Sequence, residues 1–208
     1  FRDIPYRILL PRKYDSAQHY PLHVFLHGAG ERGTDNQKQL DIGSSFFLAD
    51  SIREKYPAII VYPQCPTTEF WADENITGRL KDLLDTLQNQ YGVIKEKISI
   101  GGFSMGAYGT FAMVARYPGY FEAAVAIAGD GNEEEAASMA KTRWNIFAGT
   151  QDEVVPSSKS KMIADALKNA GASVLCPVSF PFFIFMQLQA LIFFTKARFS
   201  SRTESTCS

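Results

Sequence analysis

The chain has 208 residues, 46% of them hydrophobic and 21% charged, which is enough for one sizeable core and short for two domains. These proportions exclude disorder as the default state. A formal net charge of −1, with no basic cluster interleaved with aromatics, excludes a nucleic-acid footprint.

The chain begins with Phe1 rather than Met, as expected of a processed or truncated N-terminus, so the compartment stays open. "YRILLP" (6–11) and "LHVFLHG" (22–28) predict strands, the second running into a glycine-rich turn. "PAIIVYPQ" (57–64) is a near-continuous apolar run of the kind buried on both faces of a parallel sheet. In "NITGRLKDLLDTLQNQYG" (75–92), Leu80, Leu83, Leu84 and Leu87 recur at helical spacing and Gly92 is the stop. A strand over 98–101 and a helix over 105–117 follow, the helix closed by Pro118. "FEAAVAIAG" (121–129) and "WNIFAGT" (144–150) predict two more strands, with a short helix starting in the acidic run between them. The last helix covers 157–172 and stops at Gly171. Strands separated by helices, repeated this often, predict one α/β domain with a mostly parallel central sheet flanked by helices.

Cys65, Cys176 and Cys207 are too few and too scattered for a metal site or a disulfide framework. Unpaired thiols are expected, with a Cys65–Cys176 bridge as the alternative. Nothing in the sequence asks for a metal or a cofactor.

"ISIGGFSMGAYGTFAMVARYP" (98–118) is the stretch richest in chemistry. A G-x-S-x-G pentapeptide is weak by itself, but between a strand and a helix it makes a strained turn that lifts the serine oxygen above the sheet. Both flanks are present, so Ser104 is the candidate nucleophile. Gly102 and Gly106 sit where a side chain would block the approach of strand and helix. The plainer alternative is a serine that merely caps the helix. Acyl transfer also needs two N–H donors aimed at the oxyanion. Met105, after the serine, supplies one, and "FLHGAGERG" (25–33) has the form for the other, with Ala29 as the donor and Gly30 as its rival. The acid belongs in a loop after a downstream strand, and Asp152 in "WNIFAGTQDEVVP" fits, with Glu153 and Asp130 as rivals. Phe70 and Trp71 are candidates to line a pocket, although aromatic residues are more often core.

Taken together, "FLHGAGERGTDN", "VYPQCP" followed by Trp71, the Ser104 stretch and "FAGTQDEVVP" resemble the α/β-hydrolase superfamily. The likeness is to its bacterial carboxylesterase and predicted-peptidase branch, with dienelactone-hydrolase-like and feruloyl-esterase-like proteins. The resemblance runs in order over residues 5–172. It implies a single-domain α/β-hydrolase fold and a Ser-His-Asp hydrolase of small carboxylic esters. Ser104 would be the nucleophile, Asp152 the acid, and Ala29 and Met105 the oxyanion donors. A peptidase of the prolyl-oligopeptidase type and a catalytically inactive binding protein are the alternatives.

The resemblance stops near Leu175. The family places its base in a Gly-His loop after the last helix above, but residues 172–208 contain no histidine; the only three are His19, His23 and His27. Seven phenylalanines fall between Phe180 and Phe199, and no acidic residue occurs from there until Glu204. A hydrolase domain over 1–174 and an atypical tail over 175–208, replacing the histidine loop and last helix, are therefore expected. A shifted reading frame or misjoined segment accounts for this ending better than a natural variant. A membrane anchor is disfavoured because Pro181, Gln187 and Gln189 interrupt the run before the ~20 residues that a spanning helix needs. His27 is expected to be structural, and the esterase to be weak or silent without a base. Oligomeric state is not legible.

Overall fold

The computed structural model describes residues 4–149 and 155–176. Its strands are β1 (Tyr6–Leu9), β2 (Tyr20–Leu26), β3 (Ile59–Pro63), β4 (Val93–Phe103), β5 (Ala123–Ile127), β6 (Arg143–Phe147) and β7 (Val174–Leu175). Among the described residues they form one sheet in the order β1-β3-β2-β4-β5-β6-β7, and only the β1–β3 pair is antiparallel. The helices are α1 (Ser44–Leu48), α2 (Asp50–Lys55), α3 (Glu74–Tyr91), α4 (Met105–Arg116), α5 (Ala136–Met139) and α6 (Ser157–Asn169). A mostly parallel sheet flanked by helices in a single domain is what the alternating pattern predicts.

The apolar strand runs explain the layering. Leu22, Val24 and Leu26 of β2 share one core with Ile98 and Ile100 of β4, and with Ile76, Leu80, Leu84 and Leu87 of α3. The alternate residue Phe25 points to the other face, where it packs with Phe47 of α1 and with Ile60 and Tyr62 of β3. On that face Val125, Ile127 and Phe147 form a further buried cluster. Gly92 ends α3 at φ +61°, a left-handed conformation that glycine takes without penalty.

β3 lies on one side of β2 and β4 on the other, so the strand order reverses between β2 and β4. In open parallel sheets, ligands bind outside the carboxyl ends of the strands at such a switch point. Leu26 pairs with Gly102, so β2 and β4 end level there.

Two short helices, α1 and α2, lie in the segment between the glycine-rich turn and β3, which the sequence pattern left unassigned. β4 is also longer than the 98–101 expected, beginning at Val93, and its first part pairs with Tyr20 before a register shift. Cys65 and Cys176 are not joined in a disulfide, so the alternative bridge between them is not formed.

Candidate functional site

Ser104 is the single residue between β4 and α4. Its backbone sits at φ +52°, ψ −118°, a conformation that costs a non-glycine residue on the order of 1–3 kcal/mol. The surroundings hold it there. Its N–H donates to the Ile127 carbonyl at 2.8 Å, and its carbonyl accepts from Ala107 N at 2.8 Å. The side chain makes no capping hydrogen bond, so the hydroxyl of this half-buried serine is not spent on the helix. A Cβ on Gly102 would collide with the Gly106 carbonyl, and one on Gly106 with the Leu26 carbonyl. Both glycines are therefore steric requirements of the turn, and Gly106 seats the first turn of α4 on the end of β2.

This seating puts the first turn of α4 against the Leu26 and His27 carbonyls, at the start of the loop that carries Ala29. Met105 is the first residue of α4, and Ala29 opens a three-residue 3-10 turn, Ala29–Glu31, just past β2. At these positions a helical N–H has no partner within its own helix. His27 fixes the intervening backbone. Its Nε2 accepts from Cys65 N–H at 2.9 Å, so the ring proton resides on Nδ1, which donates to the Gly28 carbonyl at 2.6 Å. Gly28 C=O and Ala29 N–H belong to one trans peptide and point in opposite directions, so this bond aims the Ala29 amide. Trp71 Nε1 donates to the His27 carbonyl at 3.1 Å.

The electrostatics agree with a neutral, structural His27. Burial lowers its pKa to about 4, with the Gly28 bond opposing and the Arg32 charge assisting. His23 is fully buried on β2 with Nδ1 3.1 Å from Ser99 Oγ, and burial lowers its pKa to about 3. His23 pairs with Ser99, five residues before Ser104, which at ~3.3 Å per residue is roughly 16 Å along the sheet. His19 precedes β2 at the far end of the sheet. These placements leave none of the three histidines in a position to take a proton from Ser104.

Asp152 and its rival Glu153 lie outside the described residues, as does the tail beyond Cys176. The other rival, Asp130, accepts from Gly131 N at 2.8 Å and lies 3.8 Å from Lys159 Nζ. Trp71, a candidate for the pocket, is wholly buried against Gly109, and its neighbour Phe70 is exposed. Sequence reasoning passed over Arg32 and Gln64, whose side chains bind loop carbonyls; an arginine inside a glycine-rich turn was the only available signal. Among the described residues no group of His, Cys, Asp and Glu could hold a metal ion, and no helix is long and apolar enough to cross a membrane.

Comparison with known proteins gives this geometry a setting. The profile of the dienelactone hydrolase family matches residues 48–178, more than half of the chain. A search of curated protein sequences found no match. Among solved structures, a thermostable esterase is 28% identical with a TM-score of 0.81 over 91% of this chain, which spans only 56% of that protein. A ferulic acid esterase matches at 16% identity and a TM-score of 0.71, over 91% of each chain. The dipeptidyl peptidase 4 of Porphyromonas gingivalis matches at 15% identity and a TM-score of 0.70, over 91% of this chain and 33% of its own. The last two likenesses concern the fold alone.

Proposed function

Since the chain belongs to the dienelactone hydrolase family, we propose that it is a serine hydrolase of small carboxylic esters with Ser104 as the nucleophile. The observation that carries this reading is the positive-φ turn at Ser104, whose hydroxyl makes no cap, beside the Ala29 loop. Ser104 Oγ attacks the ester carbonyl while solvent water takes its proton, and the tetrahedral intermediate collapses to the acyl-serine as the alkoxide takes a proton from water and leaves as the alcohol. Ala29 and Met105 N–H groups receive the negative charge, and water then releases the acid from the acyl-serine. Asp152 is the acid that would orient an imidazole.

The imidazole itself is what this chain lacks. The Phe-rich segment from residue 175 stands where the family's histidine loop is expected, and His27 has both ring nitrogens engaged with backbone. Oxyanion stabilisation and binding alone give roughly 10³–10⁴-fold over water in well-studied serine proteases, so slow esterolysis is expected. The commitment of His27 also favours a second reading, a hydrolase fold retained as an inactive binding protein.

The deciding experiment combines p-nitrophenyl acetate and butyrate turnover with fluorophosphonate labelling. Labelling that disappears in Ser104→Ala is the expected result. An unlabelled intact chain would transfer the case to the inactive-fold reading.

A further inference from the structure

We propose that Arg32 is a positioning residue for this same acyl-transfer site: its guanidinium, laid on Phe70, holds the Ala29 carbonyl and so fixes the turn that carries the Ala29 donor. The inference rests on the serine-hydrolase reading.

The turn that carries Ala29 cannot hold itself. It is three residues long, none of them buried, and it has no side-chain cap. A Cβ on Gly30 would meet nothing within 4 Å, so packing does not fix the tip. Its conformation is set by side chains from outside the turn's own backbone. His27 Nδ1 holds the Gly28 carbonyl at 2.6 Å, Arg32 Nε the Ala29 carbonyl at 3.1 Å, and Gln64 Nε2 the Glu31 carbonyl at 3.2 Å. Ala29 is therefore gripped through the peptide on each side. In the second of these peptides the Gly30 N–H points opposite to the carbonyl that Arg32 holds, so losing Arg32 frees both the Ala29 ψ angle and the Gly30 amide.

Arg32 is itself anchored on two sides. Nη1 donates to the Thr67 carbonyl at 3.2 Å, and the guanidinium carbon lies 4.7 Å from the centre of the Phe70 ring. Phe70 is 51% exposed, so this ring serves as a platform at the surface more than as core. A planar fork that stacks on a ring while donating in two directions is a property of arginine that lysine does not reproduce. The charge matters as well as the grip. Burial lowers the His27 pKa and raises that of the Cys65 thiol, and the Arg32 charge adds to the first shift and opposes the second, so its field reaches both groups.

The test measures phosphonylation of Ser104 by a fluorophosphonate in the full chain, Arg32→Ala and Arg32→Lys, separating maximum rate from half-saturating probe concentration. Removing one oxyanion donor costs about 10²–10³-fold, so misaiming donors by Arg32→Ala should cost at least ~10-fold in maximum rate, with half-saturation within ~2-fold. Arg32→Lys should recover little of it. Added ethylguanidinium should restore Arg32→Ala several-fold, which a merely structural loss would not allow. Unchanged maximum rates in both variants, or a loss that ethylguanidinium leaves untouched, would overturn the role of Arg32 while Ser104 still labels. A full chain that does not label at Ser104 removes the serine-hydrolase reading, and this inference with it.

Discussion

Gly102 faces the Gly106 carbonyl across the β4–α4 junction and Gly106 faces the Leu26 carbonyl, so at both positions backbone stands where any side chain would go. Gly106→Ala must push α4 off the end of β2, and a destabilisation of roughly 3 kcal/mol or more is expected, read as a lowered urea midpoint or loss of soluble protein. This requirement was legible in the sequence because a pentapeptide between an apolar strand and an alanine-rich helix states it locally. The role of His27 was only half legible. Its partner is the backbone N–H of Cys65, 38 residues away, and no side-chain pattern marks such a bond. Because no histidine follows His27, an external base is also informative. Imidazole in the buffer should accelerate p-nitrophenyl acetate hydrolysis more with the full chain than with Ser104→Ala. Equal increments for the two would mean that no serine there awaits a base.

At the scale of elements, α3 offers a clean check on what its sequence says. Its buried face carries Ile76, Leu80, Leu84 and Leu87, while Gly78 lies mid-helix at an ordinary φ with nothing within 4 Å of an added Cβ. Gly78→Ala should therefore stabilise the protein by about 0.5–1 kcal/mol, seen as a raised urea midpoint with unchanged slope. Such helices are legible because their apolar period repeats over several turns. α1 and α2 are five and six residues long, too short for a period to register, so the pattern gave no sign of them. The early part of β4 was missed for a different reason. Lys95, Glu96 and Lys97 break the apolar pattern that marks a buried strand, and the segment is extended to Val93 by its pairing with Tyr20.

Across the whole molecule, two neutral histidines inside the sheet layer couple folding to acidity. The pKa values of His23 and His27 fall from the ordinary 6.5 to about 3 and about 4. The unfolded chain takes up protons that the folded chain refuses, so their contribution is complete above about pH 6.5 and is lost as pH falls, down to about 4 for His27 and about 3 for His23. The urea midpoint should drop between roughly pH 7 and pH 4.5, and His23→Gln should flatten that slope; an unchanged slope would contradict the burial argument. The global arrangement, a sheet whose order reverses between β2 and β4, was legible as alternation of strands and helices, but strand order was not, since it depends on crossovers that local patterns do not encode. The tie between the loop after β2 and the loop after β3 also has a temporal consequence. Gly33 N–H donates to the Cys65 carbonyl, Cys65 N–H to His27, Trp71 to the His27 carbonyl and Arg32 to the Thr67 carbonyl, so neither loop opens without the other. The two segments should keep a common clock: in hydrogen–deuterium exchange the Gly33 and Cys65 amides should be released together, at one rate, and His27→Ala should quicken both by the same factor.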